Sequence, residues 1–400
     1  MALNRRQFLR RSAVAVAAAG LNRTQLSGAV RILTAPSRKV LVLGAGMAGL
    51  VAAYELSKLG HDVTILEARM RPGGRVYTFR EPFADGLYAE AGAARIPENH
   101  EITLKYVKEF ELQLEPFYPS RLNAVRLDRG RREEVPIEGY TEAMTQNYGG
   151  ELGDRPERWH KIKGGADLLP KAFAEKLAGK IQYGTAVVKI EQDANQARVV
   201  FLKNGRQENL AADKIICTIP FSVLRDIQMP GLSGRKKELI KNTRYDAVSR
   251  VYLQTRNRFW EEKGLNGFAF TKGAIEVWQP TWNQPGPRGI LMTYARPGEA
   301  ERITKLKEKD RIASTLKQLN DIFSGLRENF EMGISKCWTE DEWSRGAWAF
   351  ISLTDFFTAS APEGRIHFAG EHLSQLFSWV QGALSSGLRA VTEIEQTAAV

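Results

Sequence analysis

Val40-Leu41-Val42-Leu43-Gly44-Ala45-Gly46-Met47-Ala48-Gly49 opens a stretch that runs through Leu50 to Leu59, stops at Gly60, and resumes as Val63-Thr64-Ile65-Leu66-Glu67. Val40 to Leu43 is short and wholly apolar, as a strand buried on both faces must be. Leu50 to Leu59 carries apolar residues at helical spacing, and the glycine that follows stops it. Val63 to Leu66 reads as a second buried strand. Between the first strand and the helix lies G-x-G-x-x-G. Its first glycine permits the tight turn, its second lets backbone approach a diphosphate, and its third lets the helix pack on the strand. The helix N-terminus offers oriented N–H groups to phosphate oxygens. Glu67 is placed to accept hydrogen bonds from ribose hydroxyls and repels a 2′-phosphate. Strand, glycine turn, helix, strand and acid in this order predict a nucleotide site of the Rossmann type.

Outward from the acid, Glu67-Ala68-Arg69-Met70-Arg71-Pro72-Gly73-Gly74-Arg75 supplies a second glycine pair with a cation beside it. Backbone can meet a diphosphate there as well. The two motifs together resemble the flavin-containing amine oxidase family, in its L-amino-acid oxidase-like branch, and the resemblance extends over residues 38–396. It implies FAD and a fold of class α/β plus α+β, related to that of glutathione reductase. A Rossmann-like FAD-binding domain (36–112, 161–222 and 360–400) is interleaved with a substrate domain on a mixed β-sheet (113–160 and 223–359).

The resemblance also implies roles for residues. Gly44, Gly46, Met47, Ala48 and Gly49 form the first turn, and Glu67, Ala68, Arg69, Gly74 and Arg75 clasp the diphosphate. Gly92 and Ala93 lead to Arg95, which would grip a substrate carboxylate. A planar guanidinium can do so through two parallel hydrogen bonds, although a structural ion pair is the plainer use of an arginine. Val187 would meet the adenine through its backbone. Tyr294 would join Arg95 on the carboxylate, and Trp348 and Trp379 would wall the substrate against the flavin; each of these rings could equally be core packing. Gly370 and Glu371 would meet the ribityl or pyrophosphate part. The helix opening near Val380 would point its positive end at the flavin edge where negative charge builds on reduction. Where related enzymes attach flavin through a cysteine, this chain has Ala347, which predicts non-covalent FAD.

Two departures stand out. The family's lysine near the flavin, which assists reoxidation by oxygen, is replaced by Arg250. An arginine stays charged and cannot serve as a base near neutrality. The helical insertion that covers the substrate funnel in larger relatives is replaced, between Arg121 and Trp159, by a short polar stretch. The implied reaction is oxidative deamination of L-amino acids to 2-oxo acids, ammonia and hydrogen peroxide, with oxygen as acceptor. An amine or polyamine oxidase, and a dehydrogenase or desaturase with a quinone or protein acceptor, remain open alternatives.

Composition narrows the field further. Four hundred residues exceed what one core usually serves. The formal net charge is +11, but Met1 to Ala35 contributes six arginines and no acid, leaving +5 on the rest. Acidic and basic residues are interspersed there, unlike the concentrated basic face of a nucleic-acid binder. Two cysteines and five scattered histidines predict no metal site and no disulfide framework. Within residues 1–35, Asn4-Arg5-Arg6-Gln7-Phe8-Leu9-Arg10-Arg11 and the short, weakly apolar run Ser12 to Gly20 resemble a twin-arginine export signal. Export by the twin-arginine translocase, to the periplasm or beyond, is therefore expected. No later segment is apolar for long enough to anchor in a membrane. The oligomeric state, a homodimer included, is left open.

Overall fold

Five parallel strands carry the glycine turn. Their order across the sheet is Ile366–Phe368, Lys214–Cys217, Lys39–Leu43, Asp62–Leu66 and Ile181–Gln182. The computed structural model describes residues 37–128, 130–148, 156–271 and 275–396, so the proposed export signal lies outside the described residues. The first strand is buried on both faces, as its composition requires. Val40 and Val42 pack with Leu50, Val51 and Leu56 of the Met47–Lys58 helix and with Leu384 and Ile394 of the C-terminal Val380–Gln396 helix. Leu41 and Leu43 point the other way, onto Ile190, Val199 and Phe201. Those last residues belong to an antiparallel three-stranded sheet of Thr185–Gln192, Ala197–Lys203 and Arg206–Ala212. Each such buried side chain is worth about 1.5–3 kcal/mol relative to exposure, which is why two full faces of this strand hold the layers together.

The second large element is a seven-stranded mixed sheet. Its order is Phe330–Cys337, Ser249–Thr255, Gly289–Ala295, Ile275–Trp278, Leu265–Thr271, Asn123–Asp128 and Arg131–Val135. Every pairing is antiparallel except that of Leu265–Thr271 with Asn123–Asp128. Register decides what this sheet presents. Arg250 pairs with Lys336 on one side, Tyr294 pairs with Glu276, and Tyr252 pairs with Met292, which pairs in turn with Trp278. Because side chains alternate with a period of two, Arg250, Tyr294, Glu276 and Trp278 share one face.

Two features differ from expectation. The stretch between Arg121 and Trp159 is more than a short polar connection. It forms a hairpin that extends the large sheet by two strands, followed by the helix Ile137–Tyr148. Ala124 and Val125 are both buried, whereas most of Arg131–Val135 is exposed, so the polar composition marks a sheet edge. The helices Gly234–Asn242 and Leu353–Ser360, expected in the substrate part, bury Leu239, Ile240 and Ala359 in the cluster that includes Leu41 and Cys217. Their apolar faces complete the nucleotide side of the core. Cys217 is buried in a strand and burial pushes its thiol up to about 12, so it is inert core. Among the described residues no helix is long and apolar enough to cross a membrane, and no group of His, Cys, Asp and Glu could hold a metal ion.

Candidate active site

A single cavity of about 520 Å³ is lined both by the glycine motifs and by the face of the large sheet. At the nucleotide end, Gly44 has φ +105°, a conformation that L side chains rarely adopt. A Cβ on Gly49 would lie 2.0 Å from the Gly44 carbonyl and 3.1 Å from Val42, so this glycine serves helix–strand packing and does not line the cavity. A Cβ on Gly46, which does line it, would meet no protein atom within 4 Å. The space beside Gly46 is kept for something other than protein. Glu67 is buried and accepts hydrogen bonds from the N–H groups of Ala45 (2.6 Å) and Arg69 (2.8 Å). Burial raises its carboxyl pKa, against the lowering effect of those two N–H groups.

The two signatures that are far apart in sequence are tied together here. Arg75 donates to the Glu371 carboxylate (2.7 Å) and to the Ala347 carbonyl (2.6 Å). Glu371 also accepts from the Ser378 N–H (2.9 Å), at the entrance to the C-terminal helix. Arg69 is held by the Asp341 carboxylate and by Ser344, so it reaches the cavity already paired. Lys336 binds the same carboxylate at 2.7 Å, and the two cations hold Asp341 down to about 2 despite its burial. Ala48, Met47, Ala68, Gly74, Gly92, Ala93, Val187, Gly370 and Val380 line the cavity as well.

At the sheet end, Trp278 and Tyr294 stack with centroids 4.9 Å apart and planes at 10°. The Arg95 guanidinium lies 4.8 Å from the Trp278 ring, 5.1 Å from Trp159, 5.7 Å from Tyr294 and 5.9 Å from Trp379. Such an aromatic cage favours a cation electrostatically and excludes water from around it. Arg95 Nη1 stands 3.6 Å from Glu276, which is fully buried and also accepts from Arg296 (3.0 Å) and the Trp278 indole (2.9 Å). The Tyr118 hydroxyl hydrogen-bonds Arg95, and burial pushes its pKa above the ordinary phenol range. Trp379 meets Trp159 and His100 edge-on at 5.5 and 4.9 Å. Burial pushes His100 down to about 4, so it packs there as a neutral ring. Trp348 donates its indole N–H to Asp246 (3.0 Å). Arg250 lies over Trp278 and Tyr294 at 5.1 and 5.0 Å and donates to the Glu90 carbonyl at 2.7 Å.

All five candidate catalytic residues, Arg95, Tyr294, Trp348, Trp379 and Arg250, therefore line one cavity. Reading the sequence missed Glu276, Trp278, Arg296, Tyr118 and Trp159. The first three had a signal. Glu276 and Trp278 are two apart in one apolar strand, and Arg296 follows Tyr294 by two just past the end of another, which places polar groups on a single buried face.

Comparison with known proteins agrees with this geometry. The profile of the flavin containing amine oxidoreductases matches residues 47–147 and 140–395. The chain belongs to that family. It is 30% identical to the flavin-dependent L-tryptophan oxidase RebO of Lentzea aerocolonigenes, over 90% of this chain and 98% of that one. It is 25% identical to an L-amino-acid oxidase of Demansia vestigiata, over 91% and 88%. The solved structure of cyclohexylamine oxidase from Brevibacterium oxydans IH-35A superposes with a TM-score of 0.78 at 18% identity, covering 91% of this chain and 100% of that one. The protein is thus a flavin-dependent amine oxidoreductase with the FAD amine oxidase fold. The open space at Gly46, the buried acid Glu67 and the Arg75–Glu371 tie fit an FAD molecule along the cavity.

Proposed function

We propose that this enzyme oxidises free L-amino acids: amino acid, oxygen and water give the 2-oxo acid, ammonia and hydrogen peroxide. Bound flavin supplies the acceptor for the two electrons. Arg95 binds the carboxylate, and its aromatic cage keeps water away so that the charge-assisted bonds are strong. Trp348 and Trp379 orient the side chain and Cα. The reaction takes the amine in its neutral form and asks no proton transfer of Arg250. Ala347 lines the cavity, while Cys217 and Cys337 are buried and do not, which supports non-covalent FAD. Export through the twin-arginine route belongs to the same proposal and rests on Arg5 and Arg6 and the apolar run after them.

The observation that carries the reading is the position of the Arg95 guanidinium inside the cavity, among four aromatic rings. A simple amine oxidase is the second reading, and Glu276 favours it, because a carboxylate 3.6 Å away lets Arg95 be structural. Against it, a cationic amine would enter a cavity lined by Arg95, Arg250 and Arg296. An anaerobic screen of the L-amino acids beside phenethylamine, putrescine and spermidine, read by flavin bleaching, separates the two. Bleaching by amines alone overturns the amino-acid reading. Peroxide formed in air then tests oxygen as acceptor.

A further inference from the structure

Three guanidiniums and a single carboxylate meet at the Trp278–Tyr294 stack. Glu276 serves two of them, Arg95 and Arg296. Arg250 is different. It is 5% exposed, lines the cavity, and makes no ion pair among the described residues. Its Nη1 donates to the Glu90 carbonyl, the Tyr252 hydroxyl hydrogen-bonds the guanidinium, and its Nε has no partner. A buried charge without a counter-ion is costly, and proteins keep one chiefly where a ligand completes it. The Glu90 carboxyl does not fill that role. Its oxygens accept from Thr78 Oγ1 (2.7 Å) and the Ala166 N–H (2.8 Å). Burial also pushes it up to about 7, so that near neutrality much of it carries no charge.

Resting on the amino-acid reading above, we infer that Arg250 receives a second carboxylate and that the enzyme's substrates are dicarboxylic L-amino acids. Arg95 and Arg250 line the same cavity and lie 4.8 and 5.1 Å from one indole centroid, so their Cζ atoms are at most about 10 Å apart. The two carboxyl carbons of glutamate are four bonds apart and span about 5 Å with bonds of ~1.5 Å. A dianion bridging them leaves neither guanidinium uncompensated. A neutral side chain leaves Arg250 buried without a counter-ion and its Nε without a partner. A site built to hydrogen-bond a group discriminates strongly against analogues that lack it.

The test uses the FAD-loaded enzyme and two inert probes, glutarate and butyrate, with binding read from the perturbed flavin absorbance band and from the shift in melting temperature. Glutarate is expected to bind at least about tenfold more tightly than butyrate. Arg250→Met should abolish that ratio, and Arg250→Lys, which keeps the charge but not the fork, should retain part of it. The preference for L-glutamate or L-aspartate over L-glutamine or L-asparagine in kcat/KM should fall in parallel. Equal binding of the two probes, or a ratio that survives Arg250→Met, overturns the inference. So does an Arg250→Met variant whose sole change is in flavin redox potential, since Arg250 then serves the flavin. If neutral amino acids are oxidised as well as acidic ones, the inference fails while the amino-acid reading stands. If amines alone bleach the flavin, the underlying reading has failed. A variant that does not fold is bypassed by the glutarate-to-butyrate ratio of the unaltered enzyme.

Discussion

Glu276 Oε2 stands 3.6 Å from Arg95 Nη1, close enough to pair but beyond hydrogen-bonding distance. The acid thus faces the guanidinium as an ion-pair partner, while its two oxygens accept hydrogen bonds from Arg296 and Trp278. Arg95 is oriented in its aromatic cage by Tyr118 as well as by this acid, and it lines the cavity. Glu276→Gln should keep the shape and remove the charge, leaving two guanidiniums under-compensated in a buried site. A loss of about 3 kcal/mol is expected, read as a lower melting temperature. Added butyrate should then raise the melting temperature of the variant more than that of the unaltered enzyme. If butyrate protects the two equally, Glu276 is not a resident counter-ion.

Removing Arg95 tests the other half of the pair. Arg95→Ala deletes two charge-assisted bonds to a substrate carboxylate, about 3 kcal/mol in all, or a fall of roughly 100-fold in kcat/KM. The fall should appear mainly in KM. Flavin content should hold, since Arg75, Glu371 and Glu67 are untouched. Steady-state kinetics with paired measurement of the flavin-to-protein ratio decides it, and amino-acid kinetics that survive the change would place the carboxylate elsewhere.

Two glycines of one motif should behave in opposite ways. Alanine at Gly49 puts a Cβ 2.0 Å from the Gly44 carbonyl, so the helix must move off its strand. Overpacking of this kind costs about 1–3 kcal/mol or more, and both stability and flavin should be lost. Alanine at Gly46 meets no protein atom within 4 Å. The Gly46→Ala apoprotein should therefore melt with the unaltered apoprotein and fail only at retaining FAD. Melting curves of the two apoproteins, set beside flavin titrations, check the contrast.

These arguments draw on residues of unequal legibility. The glycine turn, Glu67 and the Gly-Gly-Arg pair could be read from sequence because local spacing makes a phosphate site: strand, turn and helix N-terminus are adjacent in the chain. Arg95 and Tyr294 were legible through resemblance alone. Glu276 was legible as a polar group two residues from Trp278 in an apolar strand, but its partner was not, since nothing within that strand names the side chain it faces. Its meaning comes from register with Tyr294 and from Arg95, some 180 residues earlier in the chain. The same holds for the Arg69–Asp341 and Arg75–Glu371 pairs, which join segments about 270 and 300 residues apart. The hairpin within 121–159 was misread because exposed edge strands have the polar composition of loops.

Glu90 links the site to pH. Its carboxyl is buried behind the loop that carries Arg95, and desolvation pushes it from an ordinary 4.5 up to about 7. Below 4.5 the group is neutral in both folded and unfolded chains. Between 4.5 and about 7 the unfolded chain gives up the proton while the folded chain keeps it, so stability falls as pH rises through that window. Above it both forms are ionised and the penalty is constant, at about 3 kcal/mol for a shift of this size. His372 works in the opposite sense, because burial holds it down at about 3 and its contribution is lost as pH falls below 6.5. The whole-protein profile therefore mixes the two, and the difference from Glu90→Gln isolates one. A glutamine there keeps an oxygen for the Ala166 N–H and gives Thr78 Oγ1 a donor in place of an acceptor. Denaturant midpoints of the two proteins should lie close together near pH 5 and diverge by pH 8, with the glutamine variant the more stable. Parallel curves across that range would mean that Glu90 titrates near its ordinary value, and that the counter-ion Arg250 lacks is already present inside the fold.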